Sequence, residues 1–503
     1  MPAATRATRW AVLALLAAGL ALHLAGLAGR SLNTDEVYYP LAAREGRLLS
    51  AMRADVHPPL EPLLVGAMAR AGLPETAWRV LSVLAWLGAA CFAFRLGRRA
   101  GGDGVGLAAM ALVLTSPQGA LLARLVRSYA LAVFFGAWSI DRFVALIDAP
   151  NRRRMFSFAV VAALGCYTFY YNLYLLAAFF LTAAGLWRRD RTASRAAMSS
   201  TVVAGLLFAP WLLVLAGQSG ALGGGWIQWD ASPLRIVRRF AQVLCWAGGG
   251  DSLERGLLAI IPRLAGVGAA VIGLLWLAWG AWRLMRDGER DGRARWLLPT
   301  IAAIFTVLAL GAHFVFGAFV AVHYFAVVAA AASPLLAASF VLARRRLAAG
   351  LLFGLVIAGN LVFFPAAANE GDEPLRDAAH WIDARLGDHD LVLGVAWFAA
   401  DGYRWYGAGR RALGLPFDLR ATEPVRRVQP GLMEATDLPP LRRTLSTTRR
   451  VALLLSHPNW QNADRGLALT TQALRAAGFA LVAANGWPFG SARPSVSAEI
   501  WQR

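Results

Sequence analysis

The sequence predicts an α-helical protein that crosses a membrane many times and ends in a small α/β domain. Its mean hydropathy is +0.50, and 58% of its 503 residues are hydrophobic. The apolar residues occur in runs of about twenty, the length that crosses a bilayer as a helix. Arginines cluster between these runs, a pattern that sets membrane topology. We therefore attribute the net charge of +20 to topology and predict no nucleic-acid partner.

The apolar runs predict about eleven membrane-spanning helices. The first run lacks a small-residue cleavage pattern behind it, so we interpret it as a retained helix and not as a signal peptide. The run from 156 to 187 is too long for one helix, and its aromatic and polar middle divides it into two. The predicted spans cover residues 10–29, 78–94, 104–115, 129–147, the two parts of 156–187, 202–215, 257–284, 296–315, a stretch that ends before 344, and 347–364.

The distribution of arginine predicts which side each loop occupies. Arginines precede the first span, which favours a cytoplasmic N-terminus. Alternate counting from there puts every arginine cluster inside, and it puts the first loop, a loop from 218 to 253 and everything after 365 outside. We expect a multi-pass protein of the bacterial cytoplasmic (inner) membrane, in contact with its lipids, whose candidate site faces away from the cytoplasm.

The segment after the last span predicts a separate soluble domain. It has buried strand patterns at 390–397, 451–456 and 478–484, and helical patterns at 376–386 and 466–477. The chain therefore divides into a transmembrane domain, residues 1–365, and an extracytoplasmic α/β domain, residues 366–503.

An adjacent pair of carboxylates, Asp35 and Glu36, follows the first span. Carboxylates are scarce in this chain, so a pair at the lipid–water boundary is the strongest indication of chemistry. Residues 38–49 have apolar positions at helical spacing, which predicts an interfacial helix. The following His57-Pro58-Pro59 cannot continue a helix. We therefore expect two short interfacial helices in the first outer loop, hinged at His57.

Several short motifs follow one another in a characteristic order. They are Asp35-Glu36-x-Tyr38-Tyr39, His57-Pro58-Pro59-Leu60, Arg79 with Ser82, Arg124 with Arg127-x-Tyr129-x-Leu131, Pro210-Trp211, and Tyr324 with Pro334. This order covers nearly the whole chain and resembles the GT-C superfamily of membrane glycosyltransferases. Within that superfamily it is similar to the branch of protein O-mannosyltransferases and lipid A aminoarabinose transferases.

The resemblance implies a transferase that takes a sugar from a polyprenyl-phosphate donor on the outer face of the membrane. The implied acceptor is an envelope glycan, lipid or protein. The transfer needs a base for the acceptor and groups that stabilise the leaving phosphate. One carboxylate opposite the phosphate predicts direct displacement with inversion. We assign the base to Asp35, and Glu36 is either the alternative base or a helix cap.

Arginines at the outer ends of spans predict the phosphate site. Arginine donates paired hydrogen bonds to phosphate oxygens and stays charged. The competing interpretation is that these arginines reach outer headgroups or pair with loop carboxylates. A nearby tyrosine can donate a further hydrogen bond. The resemblance adds Tyr324 in the tenth span, which in these relatives usually follows an arginine and here follows His323. The predicted phosphate site is Arg79, Arg124, Arg127, Tyr129, His323 and Tyr324.

Four further residues are predicted to contact substrate or to shape the hinge. His57 is either a turn residue or a contact to phosphate or metal, and Tyr38 belongs to the first motif. Tyr170 lines the acceptor path or belongs to an interfacial aromatic belt. Trp226 lies in a glycine-rich outer loop, which suits stacking on a sugar ring or a mobile lid.

No residue spacing demands a metal or another cofactor. A divalent cation at His313 and His323 with the acidic pair is the one cofactor considered. Asp55 and Glu61 are expected to be solvated or paired with arginine. Two other function classes stay open: a transporter or flippase for polyisoprenoid lipids or glycans, and a non-enzymatic envelope scaffold. A flippase predicts intramembrane charges along a continuous path, and the spans here carry few carboxylates.

Overall fold

A computed structural model describes residues 5–222, 265–288, 292–316, 322–369, 373–420, 433–456, 463–489 and 493–503. A helical body comes first and a five-stranded sheet with helices follows it. Trp226 lies outside the described residues, so its predicted role stays a prediction.

The helical body contains long helices and several short ones. Its first part comprises α1 (Arg6–Leu24), α2 (Thr34–Arg44), α3 (Leu48–Ala54), α4 (Leu60–Arg70), α5 (Glu75–Thr115), α6 (Pro117–Leu122), α7 (Tyr129–Asp148), α8 (Arg152–Thr168), α9 (Tyr171–Gly185) and α10 (Arg191–Leu222). Its second part comprises α11 (Ala265–Asp287), α12 (Ala294–Phe316), a 3-10 helix (Val322–Val328), α13 (Ala329–Val341) and α14 (Arg346–Ala368).

Within the described residues, seven helical segments are long and apolar enough to cross a membrane. A helix lies at the position of each predicted span, but the count of eleven crossings and their sidedness stay predictions. The predicted division of 156–187 is confirmed, because α8 ends at Thr168 and α9 begins at Tyr171. Two predicted spans fall within α5, which is broken at Gly101 and Gly102. Gly102 has φ +86°, a conformation that favours glycine.

The buried and exposed helices differ in the way expected of a bilayer protein. α5 packs against α13, α7 and α1, and α13 is almost entirely buried. By contrast, α14 and α10 expose leucines such as Leu347 and Leu213. Exposed apolar residues of this kind match the apolar solvent that lipid chains provide.

The segment between α1 and α5, predicted to be the first outer loop, contains three short helices, not the two that the sequence predicts. α2 ends near Gly46, whose φ of +72° permits the turn into α3. α3 ends at Ala54 and α4 begins at Leu60, immediately after Pro59. The predicted hinge at His57 therefore lies between α3 and α4, while the predicted helix over 38–49 is interrupted.

The C-terminal region is built on a mixed sheet in the order β2-β1-β3-β5-β4. β1, β2 and β3 are parallel, and β5 runs antiparallel to both β3 and β4. The sequence predicts β1, β3 and β4 but not β2 or β5. The elements are α15 (Leu375–Asp383), β1 (Leu391–Val395), α16 (Trp397–Tyr406), β2 (Arg411–Leu415), a 3-10 turn (Phe417–Leu419), a second 3-10 turn (Ala435–Asp437), α17 (Leu438–Ser446), β3 (Arg450–Ser456), α18 (Ala463–Ala476), β4 (Ala480–Phe489) and β5 (Arg493–Gln502).

Glu75, in the first turn of α5, joins the C-terminal region to the helical body. Its carboxylate accepts hydrogen bonds from Trp405 Nε1 at 2.7 Å, from the Tyr406 hydroxyl at 2.9 Å and from Arg376 Nη2 at 2.7 Å. The Tyr406 oxygen in turn accepts from the backbone N–H of Leu32 at 2.6 Å. One carboxylate thus holds α15 and α16 close to the segment that leads into α2.

Glu75→Gln should loosen this contact. An amide has one acceptor oxygen in place of two. At least one of the three side chains that donate to Glu75 therefore loses its acceptor, which should lower the free energy of unfolding by about 1–3 kcal/mol. Hydrogen exchange over 397–406 should become faster and the melting temperature should fall. Glu45→Gln, in the exposed ion pair with Arg47, is the matched control. Unchanged exchange over 397–406 in Glu75→Gln would contradict this account.

Candidate active site

The beginning of α2 turns the two adjacent carboxylates in different directions. Asn33 caps the helix: its side chain accepts from the N–H of Glu36 at 2.9 Å, and its own N–H donates to Glu36 Oε2 at 2.8 Å. This reciprocal capping box is a strong helix start signal. It holds the Glu36 side chain against the N-terminus of α2, while the side chain of Asp35 points in a different direction.

Glu36 is 3% exposed and both of its carboxylate oxygens are occupied. Besides the Asn33 bond, Oε1 accepts from the backbone N–H of Val126 at 2.5 Å. Arg79 Nη2 lies 3.6 Å from Oε2. The carboxylate therefore ties α2 to the segment before α7. This geometry matches the capping interpretation of Glu36 and leaves no free oxygen for an acceptor proton.

Asp35 has the opposite surroundings. Its side chain is 76% exposed, and its Oδ2 lies 3.8 Å from Arg127 Nη2. Arg127 Nη1 also donates to the Asp35 backbone carbonyl at 3.1 Å. The structure thus brings an accessible carboxylate and a cation side by side, as a base and a phosphate-binding group would need to be.

His57 connects Arg127 to Asp55. Its Nε2 lies 3.2 Å from Arg127 Nη2, and its Nδ1 lies 3.1 Å from Asp55 Oδ2. Because a guanidinium can only donate, Nε2 accepts and Nδ1 carries the proton that it donates to Asp55. The hydroxyl of Tyr39 donates to the same carboxylate. The series Asp55–His57–Arg127 therefore orients the guanidinium beside Asp35.

The electrostatics of this series keep both ends charged. Burial by itself acts to raise the pKa of Asp55, but the hydrogen bonds that His57 and the Tyr39 hydroxyl donate, together with the positive charge of Arg127, outweigh it and lower that pKa. Burial likewise acts to lower the pKa of Arg127, but the negative charges of Asp35 and Asp55 raise it well above its usual value. An ionised Asp55 and a charged Arg127 follow at neutral pH.

Three of the predicted phosphate contacts form a second group beside Arg127. The Arg127 guanidinium lies 6.0 Å from the centre of the Tyr129 ring. That ring lies 4.8 Å from the His323 ring and 6.1 Å from the Tyr324 ring, measured between centroids. The start of α7 and the 3-10 helix therefore bring Tyr129, His323 and Tyr324 together near Arg127.

The structure places the side chains of Arg79 and Arg124 against backbone carbonyls. Arg79 is 2% exposed and donates to the backbone carbonyls of Arg30 and Ser31 at 2.9 and 2.7 Å. Arg124 is buried and donates to the carbonyl of Ala25, where α1 ends. A cation at a helix C-terminus is stabilised by the helix dipole. Both guanidinium groups are thus engaged by the backbone, and burial lowers the pKa of Arg124 to about 10.

Tyr38 and Tyr170 lie at the borders of the site. The Tyr38 ring makes an edge contact with Trp397 of α16, with centroids 6.5 Å apart. The Tyr170 hydroxyl donates to Gln218 Oε1 at 2.6 Å and accepts from Trp211 Nε1 at 2.9 Å. Tyr38 therefore contacts the C-terminal region, and Tyr170 joins α9 to α10.

Comparison with known proteins identifies the fold. No family model matches the chain, and no curated protein matches it. ArnT from Cupriavidus metallidurans in the apo state superposes with a TM-score of 0.61 at 15% identity, over 99% of this chain and 98% of that one. ArnT bound to undecaprenyl phosphate gives 0.58 at 15% identity, over 98% of each chain. The chain has the GT-C fold. The arabinofuranosyltransferase AftD from Mycobacteria gives 0.50 at 16% identity, over 100% of this chain and 42% of that one.

The surroundings of two carboxylates near this site differ from what the sequence predicts. Asp55 is not solvated but accepts from His57, Tyr39 and Val56 N. Glu61 is 4% exposed, so its expected solvation was wrong. The sequence signal that could have indicated these surroundings was position, because both residues flank the Pro58-Pro59 turn. Among the described residues, no group of three or more His, Cys, Asp or Glu side chains is arranged to hold a metal ion.

Asp35→Asn and Glu36→Gln should differ in stability although the residues are adjacent. The amide of Glu36→Gln puts an N–H₂ group against a backbone N–H, which should cost about 1–3 kcal/mol and lower the melting temperature. Asp35→Asn changes an exposed side chain, so its melting temperature should stay within error of the wild-type value. Thermal unfolding in detergent measures both variants. Equal shifts in the two variants would mean that Glu36 does not cap α2.

Proposed function

We propose that this protein is an inverting glycosyltransferase that moves a sugar from a polyprenyl-phosphate donor to an envelope glycan, lipid or protein. The observation that carries the proposal is the accessible Asp35 carboxylate beside Arg127, whose orientation depends on His57 and Asp55. The GT-C fold supports it, and ArnT is a structural neighbour whose complex holds undecaprenyl phosphate.

In the proposed reaction Asp35 acts as general base. The acceptor hydroxyl gives its proton to Asp35 while its oxygen bonds to the anomeric carbon. The bond from that carbon to the phosphate oxygen breaks, and the electron pair stays on the phosphate. Arg127, whose Nη2 lies 3.8 Å from the Asp35 carboxylate, binds the leaving phosphate with charge-assisted hydrogen bonds. A single displacement inverts the anomeric configuration.

Other predicted residues support these two groups. Tyr129, His323 and Tyr324 are proposed to contact the donor phosphate from the side of α7 and the 3-10 helix. Tyr38 and Tyr170 are proposed to border the acceptor path. Glu36, Arg79 and Arg124 are proposed to hold α1 and α2 in place and not to touch substrate.

The membrane arrangement belongs to the same proposal. Residues 1–365 would form the transmembrane domain of a bacterial cytoplasmic membrane protein with its N-terminus inside. Residues 366–503 would lie on the outer side with the site. The contacts of Glu75 with Trp405 and Tyr406 put this C-terminal domain beside α2, where an envelope acceptor would approach.

The transporter alternative finds no support in the buried charge of α7. Asp141 is fully buried, and its carboxylate is paired with Arg95, Arg99 and Arg142. Neutralised in this way, it resembles a structural ion pair more than a step in a charged pathway.

Asp35→Asn should abolish transfer without abolishing donor binding. Loss of a general base costs about 10²–10⁴-fold in kcat. Transfer of radiolabelled sugar from defined polyprenyl-phosphate donors to envelope acceptors, in membranes and with purified protein, measures it. Full transfer by a folded Asp35→Asn would show that Asp35 is not the base. Absence of transfer by the wild type across the donor panel would reject the transferase itself.

Arg127→Gln should weaken binding of undecaprenyl phosphate. It removes a charge-assisted pair of hydrogen bonds, so the Kd should rise about tenfold or more, and the salt dependence of binding should decrease. Arg53→Gln removes an arginine from an exposed position on α3 and is the matched control. Equal Kd values for the two variants would exclude Arg127 from the phosphate site.

A further inference from the structure

A buried carboxylate of the C-terminal region, Glu373, contacts the beginning of α2. Glu373 precedes α15 and is 5% exposed. Its Oε2 accepts from the backbone N–H of Thr34 at 3.3 Å and from the Ser456 hydroxyl at 3.0 Å. Its Oε1 accepts from the Thr34 hydroxyl at 3.4 Å. The residue directly before Asp35 is therefore bound by a side chain from the far end of the chain.

This contact supplies α2 with a second cap. The first N–H groups of a helix have no partner within the helix, and a negative charge beside them is stabilised by the helix dipole. Glu373 accepts from the N–H of Thr34, the first residue of α2. Asn33 accepts from the N–H of Glu36, the third residue. The two caps thus hold the residues on either side of Asp35.

The sheet of the C-terminal region supports the Glu373 carboxylate. Ser456, which donates to it, is the last residue of β3 and is buried. Two further bonds join the same region to the segment before α2. The backbone N–H of Arg376 donates to the Ser31 hydroxyl at 3.2 Å, and the Tyr406 oxygen accepts from Leu32 N. The contact is therefore continuous from residue 31 to residue 34.

The position of the Asp35 carboxylate depends on its backbone. Its side chain is 76% exposed, and in the part of the chain that the structure describes no hydrogen bond reaches its carboxylate. The Asp35 carbonyl accepts from Arg127 Nη1, and the preceding residue is bound by Glu373. A catalytic group that is displaced by about 1 Å can lose about 10²-fold in rate. A bond that fixes Thr34 therefore bears directly on the proposed base.

We propose that Glu373 is a positioning residue of the transfer: by binding Thr34 it directs the Asp35 carboxylate towards Arg127 and the acceptor. This inference rests on the proposed transferase function. Glu373 takes no part in the bond changes and acts through Asp35. The C-terminal region thereby contributes to the reaction itself, in addition to lying where the acceptor would approach.

Kinetics of Glu373→Gln test the proposal. The amide has one acceptor oxygen in place of two, and its N–H₂ group cannot accept from the donors that the carboxylate binds. We expect kcat to fall about tenfold or more. The Kd of undecaprenyl phosphate should keep its wild-type value, because His57 orients Arg127 independently. Thr34→Val, which removes only the hydroxyl, should lower kcat less, and Thr34→Ser should match the wild type. An unchanged kcat in folded Glu373→Gln overturns the assignment.

A double variant separates positioning from a purely structural role. If Glu373 acts through Asp35, adding Glu373→Gln to Asp35→Asn should not lower the residual transfer further, because the positioned base is already lost. A decrease by the same factor as in the single variant overturns the assignment, because independent effects multiply in rate. Glu499→Gln is the matched control, since Glu499 accepts from Trp501 within the sheet. It should keep the wild-type kcat.

Hydrogen exchange distinguishes failure of this proposal from failure of the transferase function. Peptides that cover residues 33–38 should exchange about tenfold faster in Glu373→Gln than in the wild type, because the first turn of α2 loses an acceptor. Exchange in Glu499→Gln should not change there. Unchanged exchange in Glu373→Gln overturns the role of Glu373 whether or not transfer is observed. Faster exchange in a protein without transfer supports the contact with α2 and rejects only the transferase.

Discussion

The site depends on how α2 begins. The capping box of Asn33 and Glu36 fixes the first turn, and the bond from Val126 N to Glu36 attaches that turn to the segment before α7. Arg127 follows Val126 directly, so the bond that holds α2 also fixes the distance between Asp35 and its cation. The position of the capping Glu36 carboxylate thus determines where the accessible Asp35 carboxylate lies.

The contacts of Arg79, Arg124 and Arg127 separate these arginines into two kinds. Arg79 and Arg124 are buried and donate to backbone carbonyls, Arg124 at the end of α1 and Arg79 in the segment before α2. Arg127 is held by a histidine and a carboxylate. A guanidinium that is bound to backbone cannot leave it without exposing unpaired carbonyls. Arg79 and Arg124 are therefore as necessary to the arrangement of the candidate site as Arg127.

Local patterns were enough to predict some elements and not others. The break near Tyr170, the Pro58-Pro59 turn and strands β1 and β3 follow from short-range signals, and the structure confirms them. β2 and β5 were missed because their pairing depends on partners distant in sequence, β5 lying between β3 and β4. Glu61 was misjudged for the same reason: its burial arises from packing of α4 on α2, which no local pattern records.

The sequence by itself determined the membrane class, the order of the motifs that resemble the GT-C superfamily and the position of the acidic pair after the first apolar run. These properties follow from composition and residue spacing, which can be interpreted without any tertiary contact. Only the tertiary structure decided which carboxylate is accessible and which arginine accompanies it. Consecutive side chains on a helix point about 100° apart, so Asp35 and Glu36 cannot share one environment. Which of them meets Arg127 depends on long-range bonds at Val126 and His57.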